Sequence, residues 1–133
     1  MPAAAPTILA TSMGLTSRRR GPYDAVPGPV FDLAFELAGR PERPRVTYLG
    51  TATGDDPVRV ATFYGAFAGS DVRASHLSLF PMPTIADVRA HLLAQDVVWV
   101  GGGSVANLLA VWRVHGLDAV SYTHLTLPTI LRV

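Results

Sequence analysis

The sequence predicts an α/β domain built on a doubly wound parallel sheet, and two observations carry that prediction. One is the stretch Asp96-Val97-Val98-Trp99-Val100-Gly101-Gly102-Gly103-Ser104-Val105-Ala106-Asn107-Leu108-Leu109, which reads as a buried strand, a glycine turn and the start of a helix. A short apolar run rich in β-branched and aromatic residues suits a strand covered on both faces. The other is repetition: about four strand-then-helix units follow one another through short Pro/Gly turns. Such units imply parallel strands with right-handed crossovers and helices on both faces. A chain of 133 residues makes one domain with a sizeable core and is too short for two ordinary ones.

Residues 7–11 (Thr-Ile-Leu-Ala-Thr) form the first expected strand, and Ser12-Met13-Gly14 turns at its carboxyl end. Residues 16–28 read as a loop, because Gly21-Pro22 and Pro27-Gly28-Pro29 break any regular pattern. Arg18, Arg19 and Arg20 lie in it, as a solvated basic loop or as a clamp for an anionic substrate group. Pro29 suits a helix's first turn, and Val30, Leu33, Ala34 and Leu37 recur at helical spacing up to Gly39, a natural stop. The second strand is Arg45-Val46-Thr47-Tyr48-Leu49, with Gly50-Thr51-Ala52-Thr53-Gly54 as its exit loop. Asp55 or Asp56 caps a helix that has Pro57 in its first turn and runs to about residue 68. On that helix Phe63 and Phe67 are one turn apart, with Val60 on the same side, which is core spacing.

Residues 72–79 form a weaker third strand, closed by Pro81 and Pro83. Thr84-Ile85-Ala86-Asp87 has capping-box spacing, with Asp where Glu is usual, and opens a helix through Ala94. After the fourth strand and the glycines, Ser104 caps a helix to about His115 that places Leu108, Leu109 and Trp112 on one face.

Composition narrows the function. A chain that is 49% hydrophobic and 16% charged folds rather than staying disordered. Its net charge of +1 gives no electrostatic argument for nucleic acid or an anionic membrane. All eleven basic residues are arginine, and the absence of cysteine excludes disulfides, thiolate catalysis and cysteine-ligated metals. The arginines follow the apolar amino-terminal stretch instead of preceding it, the wrong order for a signal peptide. With no run of about 18 apolar residues, no transmembrane helix is expected, and the expected compartment is the cytoplasm.

The glycine turn is where chemistry is expected. In an open α/β sheet ligands sit at the carboxyl ends of the strands, and glycine can present bare N–H groups to a ligand or a developing negative charge. Gly102-Gly103-Ser104-Val105-Ala106 is one residue away from the nucleophile-elbow pattern, with Ala106 in place of the last glycine. Ser104 as nucleophile with His115 as base fails on distance, since eleven residues of helix separate them by about 16 Å and a base must lie within about 3 Å. Ser104 is therefore read as an N-cap. His76, His91 and His115 show no metal-ligand spacing and are read as structural. Asp55 and Asp56 can bind a cation or an ammonium group, though capping is the plainer role. A nucleotide-binding module using Gly101, Gly102 and Gly103 is the non-hydrolytic alternative, because a glycine turn before a helix also cradles phosphate. The turn lacks the six-residue dinucleotide fingerprint, and the chain has no lysine for a P-loop.

Three stretches look like a known family: Ile8-Leu9-Ala10-Thr11-Ser12, Tyr48-Leu49-Gly50-Thr51-Ala52, and above all Val98 to Leu109 together with Trp112 to Asp118. Over about residues 7–119 the chain resembles the amino-terminal part of peptidase E, a dipeptidase family of serine peptidases. The resemblance implies a class I glutamine amidotransferase-like, or flavodoxin-like, sheet, truncated here after about four βα units. It also implies hydrolysis of dipeptides with an amino-terminal aspartate, a small peptide as partner, and no metal or cofactor. In the family the nucleophile lies in a glycine-x-serine-alanine-glycine elbow after the next strand, and no such stretch occurs here. What carries over is the glycine turn, where Gly102 and Gly103 resemble half of the oxyanion hole. Ser12, Thr51 and Ser104 are the accompanying substrate-binding candidates.

From Val120 the pattern breaks. Ser121-Tyr122-Thr123-His124-Leu125-Thr126-Leu127-Pro128-Thr129 alternates like a strand but arrives without the expected turn. Residues 120–129 can also be encoded by DNA resembling the transposase adaptor of common sequencing libraries. The expectation is a peptidase domain part at residues 1–119 and a non-native tail at 120–133, with the strand before it left with an unpaired edge.

Overall fold

The computed structural model describes residues 7–12, 14–17, 24–123 and 129–132. In chain order the elements are β1 (Ile8–Ala10), β2 (Leu15–Ser17), β3 (Ala25–Pro27), α1 (Pro29–Leu37), β4 (Arg45–Leu49), a 3₁₀ turn (Thr51–Thr53), α2 (Pro57–Phe67), β5 (Arg73–His76), α3 (Val88–Leu93), β6 (Val97–Val100), α4 (Val105–His115), α5 (Leu117–Thr123) and β7 (Thr129–Arg132). Five strands make one parallel sheet in the order β1-β7-β6-β4-β5. β2 and β3 pair antiparallel as a separate ribbon, Thr16 opposite Val26.

Period-two alternation sorts the sheet's side chains onto two faces. Val46 and Tyr48 of β4 and Val97 and Trp99 of β6 pack with Phe31 and Ala34 of α1 and Phe63 and Phe67 of α2. On the opposite face Leu49, Val98 and Val100 pack with Leu92 of α3, Leu108 and Trp112 of α4 and Leu117 of α5. Helices thus cover both faces, as the repeated units predict. β6 is buried at all four positions because it has a neighbour on each edge and helices above and below.

The order of strands matters for function. After β4 the chain places β5 on one side and β6 on the other. The loops leaving β4 and β6 therefore diverge at a switch point, which is where a crevice opens in sheets of this kind.

Several expectations need correction. Residues 16–28 are not a plain loop, since β2 and β3 form a ribbon within them. The third strand is shorter than residues 72–79, although Leu77 and Leu79 beyond it are fully buried. Thr84 opens no helix: it bonds Ser78 through both backbone and hydroxyl, and Asp87 caps α3 by accepting from the Ala90 N–H at 2.9 Å. β6 has no open edge, because β7 pairs with it and joins it to β1. Of the alternating stretch 121–129, residues 121–123 belong to α5 instead of a strand and residue 129 begins β7, while residues 124–128 lie outside the described residues.

Candidate active site

β4 and β6 end side by side, Leu49 opposite Val100, so their exit loops are neighbours. The loop after β4 curls into the 3₁₀ turn, in which the Gly50 carbonyl accepts from Thr53 N–H and Asp55 N–H, each at 3.0 Å. The loop after β6 is the glycine turn. It is pinned at both ends: Gly101 N–H donates to Leu49 C=O at 3.0 Å and Ser104 N–H donates to Ala52 C=O at 2.9 Å. Between them Gly103 has φ +146°, and a Cβ there would stand 2.4 Å from the Ala52 carbonyl oxygen. Only glycine fits both the dihedral and the gap. A Cβ on Gly101 would lie 2.9 Å from the Tyr48 ring. The turn is glycine-rich at positions 101 and 103 because the Tyr48 ring and the loop after β4 press on it.

A cleft of about 570 Å³ opens beside this turn. Gly101 and Gly102 form one wall, the β2–β3 ribbon a second, and Asp56, Arg59 and Thr62 at the start of α2 a third. Tyr48 and Trp99 form the floor, with ring centroids 4.9 Å apart, and Phe31 and Phe63 buttress Trp99 from below at 5.3 and 5.7 Å. Gly14 presses on the Trp99 indole so closely that a Cβ would come within 2.8 Å of the ring. The Trp99 indole nitrogen is buried and has no hydrogen-bond partner among the described residues. Burial pushes the Tyr48 phenol above its ordinary pKa, against the opposing pull of the Arg59 guanidinium and a hydrogen bond with Thr53. Tyr48 is therefore a neutral hydroxyl at the cleft floor.

Arg59 reaches Asp56 only at 3.8 Å, and both side chains keep substantial exposure. A loose pair of that kind leaves the guanidinium free to meet an anionic group. Among the described residues the chemical inventory is thus a glycine turn at a switch point, an aromatic floor carrying the Tyr48 hydroxyl, and one charged pair at the rim.

The sequence model of Peptidase family S51 matches residues 29–127, a span that includes the 3₁₀ turn, both walls built by α2 and the glycine turn. The chain belongs to peptidase family S51. The uncharacterized peptidase YgaJ of Bacillus subtilis (strain 168) is 43% identical over 79 residues, 59% of this chain and 34% of that protein. The chain covers about a third of the length of that curated relative. No solved structure matches it significantly.

The S51 chain distributes the sequence candidates unevenly. Ser12 and Gly102 line the cleft. Gly103 sits behind Gly102 against Ala52. Thr51 does not line the cleft: it is buried, and its hydroxyl accepts at 3.2 Å from the indole N–H of Trp112, in the core on the opposite face of the sheet. Ser104 caps α4, its hydroxyl oxygen accepting from Asn107 N–H at 3.2 Å. Asp56 caps α2 by accepting from Val58 N–H, whereas Asp55 accepts from Leu79 N–H and Phe80 N–H. His76 bonds the Tyr64 hydroxyl, His91 bonds Thr47, and His115 closes α4. Arg18, Arg19 and Arg20 lie outside the described residues.

Tyr48, Arg59, Thr62 and Trp99 were not singled out by sequence reasoning. Tyr48 and Trp99 could have been found by alternation, because their registered positions put both rings on one face. Arg59 carries no local signal. It reaches the cleft only because α2 begins beside the switch point.

Proposed function

We propose that this S51 chain is the amino-terminal part of a serine-type peptidase that cleaves short peptides, aspartyl dipeptides in particular, by acyl transfer in the cytoplasm. The observation that carries the reading is Gly102 at the switch-point cleft, in a turn whose geometry is held from both ends. Backbone N–H groups of Gly102 and Gly103 stabilise the tetrahedral oxyanion. Preorganised donors of this sort lower the barrier because they need no reorientation when charge develops. Ser12 and Arg59 at the cleft wall bind the peptide's polar and charged groups, and the Tyr48–Trp99 floor excludes water from the scissile bond. The whole enzyme has a class I glutamine amidotransferase-like fold.

The nucleophile comes from a glycine-x-serine-alanine-glycine elbow that this sequence does not contain. β7 suggests where such an elbow belongs: parallel to β6, with Arg132 opposite Val100, so that a turn after it opens beside Gly101 and Gly102. In the native enzyme a strand ending in the serine takes that place; the family match, which runs to residue 127, stops just before β7.

The test is to sequence the source DNA past the codon for Ala119 and assay the restored protein on aspartyl and neutral dipeptides. A frame continuing into the serine elbow, with cleavage of aspartyl dipeptides, supports the reading. A gene that ends as written removes the catalytic claim. The non-catalytic reading, a nucleotide- or ligand-binding module using the Gly101–Gly103 turn, gains no specific observation from the cleft.

A further inference from the structure

We propose that Asp55 is a positioning residue for the glycine turn. Its carboxylate locks the loop of residues 50–55 onto the backbone of residues 79–80, and that loop holds the N–H groups of Gly102 and Gly103 in place. The inference rests on the reading of those groups as oxyanion donors.

Asp55 has a backbone cost that demands an explanation. It adopts φ +56° directly after Gly54 at φ +67°, a left-handed conformation that non-glycine residues seldom take. One carboxylate oxygen, Oδ1, is buried with no partner among the described residues. Strained backbone together with an unpaired polar atom persists only when something else over-determines it, and such features gather at functional sites.

The compensation is visible in the other oxygen. Oδ2 accepts from Leu79 N–H and Phe80 N–H, both at 2.9 Å, across 24 and 25 residues of chain. That backbone is a firm anchor. Leu77 and Leu79 are completely buried, and Leu77 N–H continues the sheet by donating to Tyr48 C=O at 3.0 Å. Asp55 N–H meanwhile closes the loop onto Gly50 C=O at 3.0 Å. The 3₁₀ turn is thereby fixed at its start by β4 and at its end by the carboxylate.

What the loop then holds is the Ala52 carbonyl. Ala52 C=O accepts from Ser104 N–H and stands where a Cβ of Gly103 would be, so it sets both the exit of the glycine turn and the path of Gly103. The other end of the turn does not depend on Asp55, because Gly101 N–H is held by Leu49 of β4 itself. Loosening Asp55 should therefore free one end of the turn and leave the other fixed.

Amide hydrogen exchange on this chain reads the two ends separately. Asp55→Gly suits the left-handed backbone but removes the acceptor, and it should speed exchange of the Ser104 amide about tenfold or more while the Gly101 amide keeps its protection. Asp55→Asn keeps an acceptor oxygen and tolerates the dihedral, so it should stay close to the parent. Unchanged Ser104 protection in Asp55→Gly overturns the proposal. So does equal loss at Gly101 and Ser104, or failure of Asp55→Gly to fold, since either makes the tie global.

In the restored full-length enzyme the same variant should lower kcat about 10- to 100-fold with KM nearly unchanged, and Asp55→Asn should rescue most of it. A rise confined to KM overturns the positioning role. Absence of peptidase activity in the parent enzyme would instead refute the proposed function, and the exchange measurement would still decide what Asp55 does.

Discussion

Single atoms decide the shape of the candidate site, and Gly103 is the sharpest case. A methyl group there would sit 2.4 Å from the Ala52 carbonyl oxygen, on a backbone at φ +146° that only glycine adopts comfortably. Since the obstructing atom is backbone, the turn itself must move. Gly103→Ala is expected to destabilise the chain by about 1–3 kcal/mol from backbone strain alone, and thermal unfolding measures it. In the full-length enzyme the displaced donors should lower kcat about 10²- to 10³-fold. Native-like stability in that variant would mean the turn is not pinned as described. His91 makes a different residue-scale argument. Burial, with a smaller contribution from nearby His76, pulls its imidazole below the ordinary value of 6.5, while its Nε2 shares a 2.9 Å hydrogen bond with the buried Thr47 hydroxyl. The folded chain then binds a proton less readily than the unfolded chain. His91 therefore contributes stability that is full above about pH 6.5 and is lost as pH falls through the folded-state value. Urea midpoints at neutral and mildly acid pH should show this loss, and His91→Gln should flatten it. An identical acid slope in the variant would assign the effect to other groups.

At the scale of elements, caps account for how sharply the helices begin. The Ser104 hydroxyl oxygen accepts from Asn107 N–H, and Gly116 ends the same helix at φ +72°. Ser104→Ala should cost about 1 kcal/mol by freeing that N–H without altering β6, a change visible in denaturant unfolding. If Ser104 were the nucleophile, the same variant would abolish hydrolysis in the restored enzyme, whereas a cap leaves most of it. Strong local signals made β4, β6, α1, α2 and α4 readable from sequence: apolar runs, proline in first turns, and glycine or a capping side chain at the ends. The glycine turn was readable for the same reason. Elements defined by distant partners were not. β2 and β3 are three residues each and exist because they pair with one another and close over Trp99 through Gly14. Thr84 looked like a cap because Asp87 stands three residues on, but Ser78 claims its hydroxyl. The cleft shared this fate: Gly102 and Ser12 announce themselves in sequence, while Arg59, Tyr48 and the ribbon wall meet only through tertiary packing.

For the whole molecule the decisive fact is that, among the described residues, β1 is hydrogen-bonded into the sheet through β7. β7 pairs with β1 on one edge and β6 on the other, so it seals the most buried strand and tethers the amino terminus at once. Both tasks are met by backbone pairing, which any strand of suitable length can supply. This is how a strand outside the span of the family match can complete the sheet of a family S51 chain. Removing residues 120–133 should expose the β6 edge along Val97–Val100, an apolar row of unpaired N–H and C=O groups, and release β1. An edge of that kind templates intermolecular pairing. The shortened chain is therefore expected to aggregate or form oligomers in light scattering, where the 133-residue chain does not. Replacing residues 129–132 by an unrelated β-branched segment should restore the original behaviour, because the requirement is for a strand and not for Thr-Ile-Leu-Arg. A shortened chain that stays monomeric with full protection of the β6 amides would show that β6 needs no neighbour in the place of β7.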